Sequence, residues 1–126
     1  KYVKEVNIES RLALRIAKTL IFPAAILYQG QLSQTSLNLK SLGKDHCTTV
    51  LDELNALVSQ LQGAMAKLEN AINHESKDGL LTHAKHMRDK VIPATNEVRQ
   101  ISDKLEGIVS DDLWPLPTYQ EMLFIK

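Results

Sequence analysis

The sequence has 126 residues, with 15 basic and 15 acidic side chains, so its formal charge is zero. A chain of this length makes one domain that can bury a core without disulfides or metal. The missing basic excess argues against nucleic acid or an anionic membrane as partner. Cys47 is the only cysteine; no disulfide can form within the chain, and a reducing cytoplasm is the expected compartment. The longest apolar run, Leu20 to Tyr28, has nine residues and contains Pro23, against the ~20 that a membrane helix requires. The chain starts at Lys1 without a methionine and reads as a piece of something longer. Five glycines and four prolines among abundant Leu, Ala, Lys, Glu and Gln mark an all-α domain.

From Tyr2 to about Ser41 the pattern is helical but untidy. Val6, Ala13, Ile16, Leu20, Ala24 and Leu27 form one stripe, while Ile8, Leu12, Leu14, Ile21 and Phe22 lie partly off it. An apolar surface wider than one stripe predicts burial on more than one side. Pro23 removes a helical hydrogen bond and predicts a kink near Thr19 and Leu20 rather than an end. Gln29 to Leu42 is poorer in apolar residues and predicts a weaker helix, stopping at Leu42 with Gly43 left-handed.

Asp45 is the expected cap of a second helix. Cys47, Leu51, Leu54, Val58, Leu61, Met65, Leu68 and Ile72 alternate in steps of four and three, a heptad seam that puts them on one face. Asp52, Gln60, Lys67 and Asn70 face away. The helix is expected to reach about Glu75, roughly 45 Å at 1.5 Å per residue. Ser76-Lys77-Asp78-Gly79 is the expected turn. A third helix then repeats the seam with Leu80, Ala84, Met87, Val91, Ala94, Val98, Ile101, Leu105 and Ile108. Pro93 interrupts it in Val91-Ile92-Pro93-Ala94, as Pro23 does in Ile21-Phe22-Pro23-Ala24. Short connections make neighbouring helices antiparallel, so the prolines fall near mid-height of two parallel helices, with matched kinks.

The tail from Asp111 to Lys126 holds the only tryptophan and two of the four prolines. Pro115 and Pro117 force Trp114 and Leu116 into extended geometry. Thr118, with Glu121 three residues on, opens a short terminal helix in a capping-box arrangement. Burying Leu113, Trp114, Leu116, Leu123 and Phe124 returns ~1.5–3 kcal/mol each. Ordering the segment costs ~1–2 kcal/mol per residue, so the tail needs a well-matched groove, on the bundle or on a neighbour.

Signals for chemistry are few. His83, His86 and Asp89 share a helical face, a spacing that can hold a metal, but structural zinc needs four ligands and no second cluster is present. His83 or His86 could accept a phosphoryl group in a free-standing helical signalling module. Cys47, on the seam, reads as a buried inert thiol, and Asp111-Asp112 as a solvated helix exit. No glycine-rich phosphate loop, HExxH or nucleophile elbow occurs.

The run Asp111-Asp112-Leu113-Trp114-Pro115-Leu116-Pro117-Thr118-Tyr119, with Glu121-Met122-Leu123-Phe124, resembles the carboxyl terminus of the type III glutamine synthetases. Three more stretches resemble that family in the same order. They are Lys1-Tyr2 through Asn7-Ile8-Glu9; Lys18-Thr19 with Pro23-Ala24-Ala25 and Tyr28-Gln29; and Met87-Arg88-Asp89 with Val91-Ile92-Pro93-Ala94. The resemblance implies the helical region following the catalytic domain of a longer cytoplasmic enzyme. That enzyme condenses glutamate with ammonia, using ATP and a divalent metal (Mg or Mn), through a γ-glutamyl phosphate, and stacks as hexameric rings. It further implies a structural role, with the preceding catalytic domain and neighbouring subunits of a ring-shaped homo-oligomer as partners. None of the family's catalytic, nucleotide or metal motifs is present, so no catalytic, cofactor or metal residue is assigned.

The expected architecture is a single all-α domain over 1–126. It is an up-down-up bundle of three long helices, two with proline kinks, plus a short C-terminal helix, with the tail over 111–126 docked on the bundle or a neighbour. The candidate interface is Ile8, Leu12, Leu14, Ile21, Phe22, Trp114, Leu116, Tyr119 and Phe124. A residue contributed from the tail to the active site of the longer enzyme is a further possibility.

Overall fold

The computed structural model describes residues 2–74 and 79–117. Among them are three helical rods and no strand. The first runs through Tyr2–Ile16, a π turn at Ala17–Ile21, and Phe22–Ser41; the second is Thr49–Asn73; the third is Leu80–His86, a π turn at Met87–Val91, and Ile92–Glu106. The short terminal helix, and all but Gly79 of the turn expected over Ser76 to Gly79, lie outside the described residues; Gly79 has a φ of 105°.

The disturbance expected at each proline takes the form of a π turn, with helix continuing on both sides. Pro23 and Pro93 each sit in the first turn of the segment that follows. A proline ring in a regular α-helix collides with the carbonyl four residues back, here that of Thr19 or Asp89. The wider turn relieves this: the Phe22 N–H reaches back to the Ala17 carbonyl, and the Ile92 N–H to that of Met87. Burial repeats around the two sites. Ala17, Ile21, Ala24 and Ala25 are core residues, and so are Met87, Val91, Ala94 and Thr95 at the equivalent positions.

The π turn also explains where the stripe of the first helix departs from expectation. Leu20 and Leu27, expected inward, are 40% and 57% exposed. One inserted residue rotates everything after it by about 100° around the axis. From the end of the turn onward the inward positions are Ile21, Ala24, Ala25, Tyr28 and Leu32. Gln29 to Ser41 remains helical, ending in a Schellman arrangement: the Lys44 N–H bonds to the Leu39 carbonyl and the Gly43 N–H to that of Lys40. Gly43 has a φ of 71°, the left-handed position that favours glycine.

In the second helix Leu54, Val58, Leu61, Met65, Leu68 and Ile72 are buried as the heptad requires, and Leu57 and Ala64 widen the stripe. Its start is later than expected. The helix opens at Thr49 without a side-chain cap, so Asp45 is not its cap and Cys47 lies in the exposed connection, not on the seam. The Thr48 hydroxyl donates to the Asp52 carboxylate instead, at 3.2 Å. The third helix buries Met87, Val91, Ala94, Val98, Ile101 and Leu105.

Contacts fix the directions. Lys18 meets Glu69 while Gln29 meets Asn55, so the first and second helices are antiparallel. Ala71 meets His86 while Lys67 meets Glu97, so the second and third are also. Both π turns face the C-terminal half of the second helix: Lys18 and Phe22 border a groove with Met65 and Glu69, and His86 and Lys90 border one with Ala71 and His74. A buried polar pair joins the first and third helices. The Thr95 hydroxyl lies 2.7 Å from the Val91 carbonyl and 2.9 Å from the Ser10 hydroxyl. Thr95 has one proton, which the carbonyl accepts, so Ser10 donates to Thr95.

Candidate interaction surface

The candidate interface residues separate into three groups. Ile8 and Leu12 stand in solvent, 57% and 55% exposed. Leu14, Phe22, Trp114 and Leu116 are half-buried against the core. Ile21 is inside it, 4% exposed, because the π turn brings it round to the inward face; it cannot also serve an outer contact. Tyr119 and Phe124 lie outside the described residues.

Sequence position alone does not show what unites the exposed members. A groove of about 330 Å³ runs between the first and third helices, walled by Leu12, Ile16, Ile21, Val98 and Leu116 and rimmed by Glu9, Arg99 and Asp103. After the third helix the chain turns back: the Trp114 N–H bonds to the Ser110 carbonyl at 3.0 Å, and Leu113, Trp114 and Leu116 fold onto the core. Asp111 and Asp112 point outward from this turn. Leu116 thus sits beside Leu12, so the tail and the exposed row of the first helix form one apolar surface.

The first helix as a whole is apolar and poorly covered. An 18-residue window within Glu5–Ser41 reaches a mean hydropathy of 1.3 with 22% of it buried, enough by length and composition alone to cross a membrane. Ile8, Leu12, Leu20, Ile26, Leu27 and Leu37 are all at least 40% exposed along it.

Two of the histidines, His74 and His86, meet where the second helix ends and the third begins. His86 Nε2 lies 2.6 Å from the Ala71 carbonyl, in the last turn of the second helix, where carbonyls lack helical partners. A carbonyl only accepts, so Nε2 carries the proton and has no lone pair for a phosphoryl group. The His74 ring lies against that of His86, centroids 5.5 Å apart. His83 is half-buried. The phosphotransfer reading of His83 or His86 finds no support. Asp89 is engaged by the Arg88 guanidinium at 3.0 Å, a hydrogen bond that holds its carboxyl below the usual carboxylate range. Among the described residues no three His, Cys, Asp or Glu side chains gather as metal ligands would. Cys47 shares a 3.0 Å contact with the Thr49 hydroxyl, which lowers its thiol below the ordinary value.

Comparison with known proteins converges on one family. The family model for the glutamine synthetase C-terminal domain matches residues 1–40. The type-3 glutamine synthetase of Dictyostelium discoideum is 31% identical over 137 aligned residues, covering 99% of this chain and 18% of the relative. A glutamine synthetase of Bacteroides fragilis (strain YCH46) is 29% identical, covering 100% of the chain and 18% of the relative. One from Butyrivibrio fibrisolvens is 27% identical, covering 98% and 18%. The chain therefore spans about a fifth of the length of these relatives. The likeness to glutamine synthetases, one of them type-3, holds across nearly all of the chain, and the likeness to their C-terminal domain is carried by residues 1–40.

Proposed function

We propose that this chain serves as the C-terminal structural and assembly domain of a glutamine synthetase, with no active site of its own. The full-length protein would join ammonia to glutamate in the cytoplasm, using ATP and Mg or Mn bound by its preceding catalytic domain. The sequence has no phosphate-binding loop, and among the described residues no ligands gather to fit such groups, so no chemical step is placed on them. Its partners would be that preceding domain and neighbouring subunits of a ring.

The observation that carries this reading is the uncovered apolar row of Ile8 and Leu12 beside the Leu116 groove. A membrane is a poorer fit. The same helix contributes Ala17, Ile21 and Ala25 to a protein core, and Gln29 to Asn38 carries seven amide or hydroxyl side chains.

The test is glutamine synthesis by the full-length protein, with assembly followed in parallel by sedimentation. Ile8→Glu with Leu12→Glu should lower assembly and activity together, while the helical content of the domain stays unchanged. Full assembly and full activity in that double variant would overturn the reading.

A further inference from the structure

We propose that the groove between the first and third helices is the seat of this chain's own carboxyl-terminal segment, residues 118–126. The inference does not depend on the enzyme assignment. Leu12, Ile16, Ile21 and Val98 wall the groove, and Leu116 completes it. Only Pro117 separates Leu116 from residue 118, so the segment starts from inside the groove and needs no linker to reach it.

Reach, composition and charge each favour this occupant. The first and third helices run parallel, with Ser10 meeting Thr95. The chain comes back from the end of the third helix at Glu106 through the turn at Ser110 to Trp114. Its onward course from Leu116 therefore passes Ile16 and Leu12 toward Glu9. Ile16 to Glu9 is about 10 Å of helix at 1.5 Å per residue. Nine residues cover about 14 Å as a helix and up to about 30 Å extended, so either geometry suffices. Five of the nine are Tyr119, Met122, Leu123, Phe124 and Ile125, side chains that leave water for an aliphatic surface such as these walls. The rim carries Asp103, Arg99 and Glu9 in the order of that course, and none of the three has an ion-pair partner among the described residues. The segment carries Glu121 and then Lys126, which matches Arg99 and then Glu9.

Tethering settles the competition for the groove. A segment joined to the groove's own wall meets it at an effective concentration on the order of millimolar, which a separate protein does not reach. The outer contact proposed above keeps its place. Ile8 does not line the groove and stays open beside it, and Leu12 stands between the two surfaces.

Nuclear Overhauser spectra of the full 126-residue chain test this. The expected result is a set of cross-peaks from the side chains of residues 119–125 to the methyls of Leu12, Ile16 and Val98. A mixture of labelled and unlabelled chains should give none between copies. Leu123→Glu with Phe124→Glu should abolish the cross-peaks and shift those three methyls, while the methyls of Leu37 and Val50 hold still. Ala13 also lines the groove and is half-buried; Ala13→Glu should abolish the cross-peaks from the other side, with helical circular dichroism unchanged in both variants. Ile8→Glu should leave them intact, so a loss of assembly in that variant bears on the outer contact and not on the tail. The proposal is overturned if the cross-peaks are absent, if they appear between copies in the mixture, or if they survive Ala13→Glu. It is equally overturned if Ile8→Glu removes them.

Discussion

The first and third helices use the same device and present opposite surfaces. Each sets a π turn just before a proline, and side chains at each turn border a groove with the C-terminal half of the second helix. Outside the core they diverge. The third helix is coated with charge: Lys85, Arg88, Lys90, Arg99, Asp103 and Lys104 are all exposed. The first exposes Leu20, Ile26, Leu27 and Leu37 and carries no charge from residue 19 to residue 39. Inward chemistry is thus set by the bundle and is shared, while outward chemistry is not: the third helix presents charge to water, and the first presents an uncharged, partly apolar surface.

The largest effects belong to the shared interior. Ile21→Ala and Met87→Ala each truncate a side chain no more than 4% exposed, one in each π turn. Each should cost ~2–5 kcal/mol in denaturant unfolding, as large-to-small core changes do. Leu27→Ala, on a side chain 57% exposed, should stay within ~0.5 kcal/mol. A Leu27→Ala cost comparable with that of Ile21→Ala would mean the outer face of the first helix is already covered in the isolated chain, and the contrast between the helices would fail.

The next effect tests the polar link between the two helices. Thr95→Val leaves the Ser10 hydroxyl, 1% exposed, without its partner and should cost ~1–3 kcal/mol. Adding Ser10→Ala to that variant removes the stranded group, so the double variant should lose less than the two single losses combined. Strict additivity would show that the hydroxyls do not depend on each other. Below this stands His86→Leu, which strips the donor from the Ala71 carbonyl and should cost ~1 kcal/mol, with His86→Gln retaining part of it.

How much of this could be read from the chain depends on which signal each residue carries. Leu54 to Ile72 and Met87 to Leu105 announce their burial by an unbroken heptad, because an undistorted helix converts sequence spacing directly into angle. The first helix shows where that conversion fails. Pro23 signals a disturbance but not its form, and a π turn shifts the phase of everything after it. Ile21, placed on the outer surface by spacing, is therefore in the core, and Leu27 exchanges roles in the opposite sense. Cys47 falls outside the helix because periodicity says nothing about where a helix begins, and this one opens only at Thr49. The Ser10–Thr95 pair and the His86–Ala71 cap join residues far apart in sequence, and polar groups of this kind have no periodic signature. The uncharged stretch over 19–39 was visible throughout, but only its exposure gives it meaning.

The smallest effects come from the ion pairs that tie each outer helix to the second, and they sharpen the comparison most finely. Lys18 Nζ lies 2.7 Å from Glu69, with the two side chains 49% and 39% exposed. Lys67 Nζ lies 3.4 Å from Glu97, with 69% and 46% exposed. Exposed pairs of this kind contribute ~0–1 kcal/mol, and less as salt rises. Double-mutant cycles with alanine should therefore give a coupling below ~1 kcal/mol for both. The Lys18–Glu69 value should be the larger, because that pair is shorter and less exposed. It also borders the uncharged stretch of the first helix, where no competing charge lies within the next five helical turns of sequence. Equal couplings would mean that the scarcity of charge on the first helix has no electrostatic consequence within the bundle.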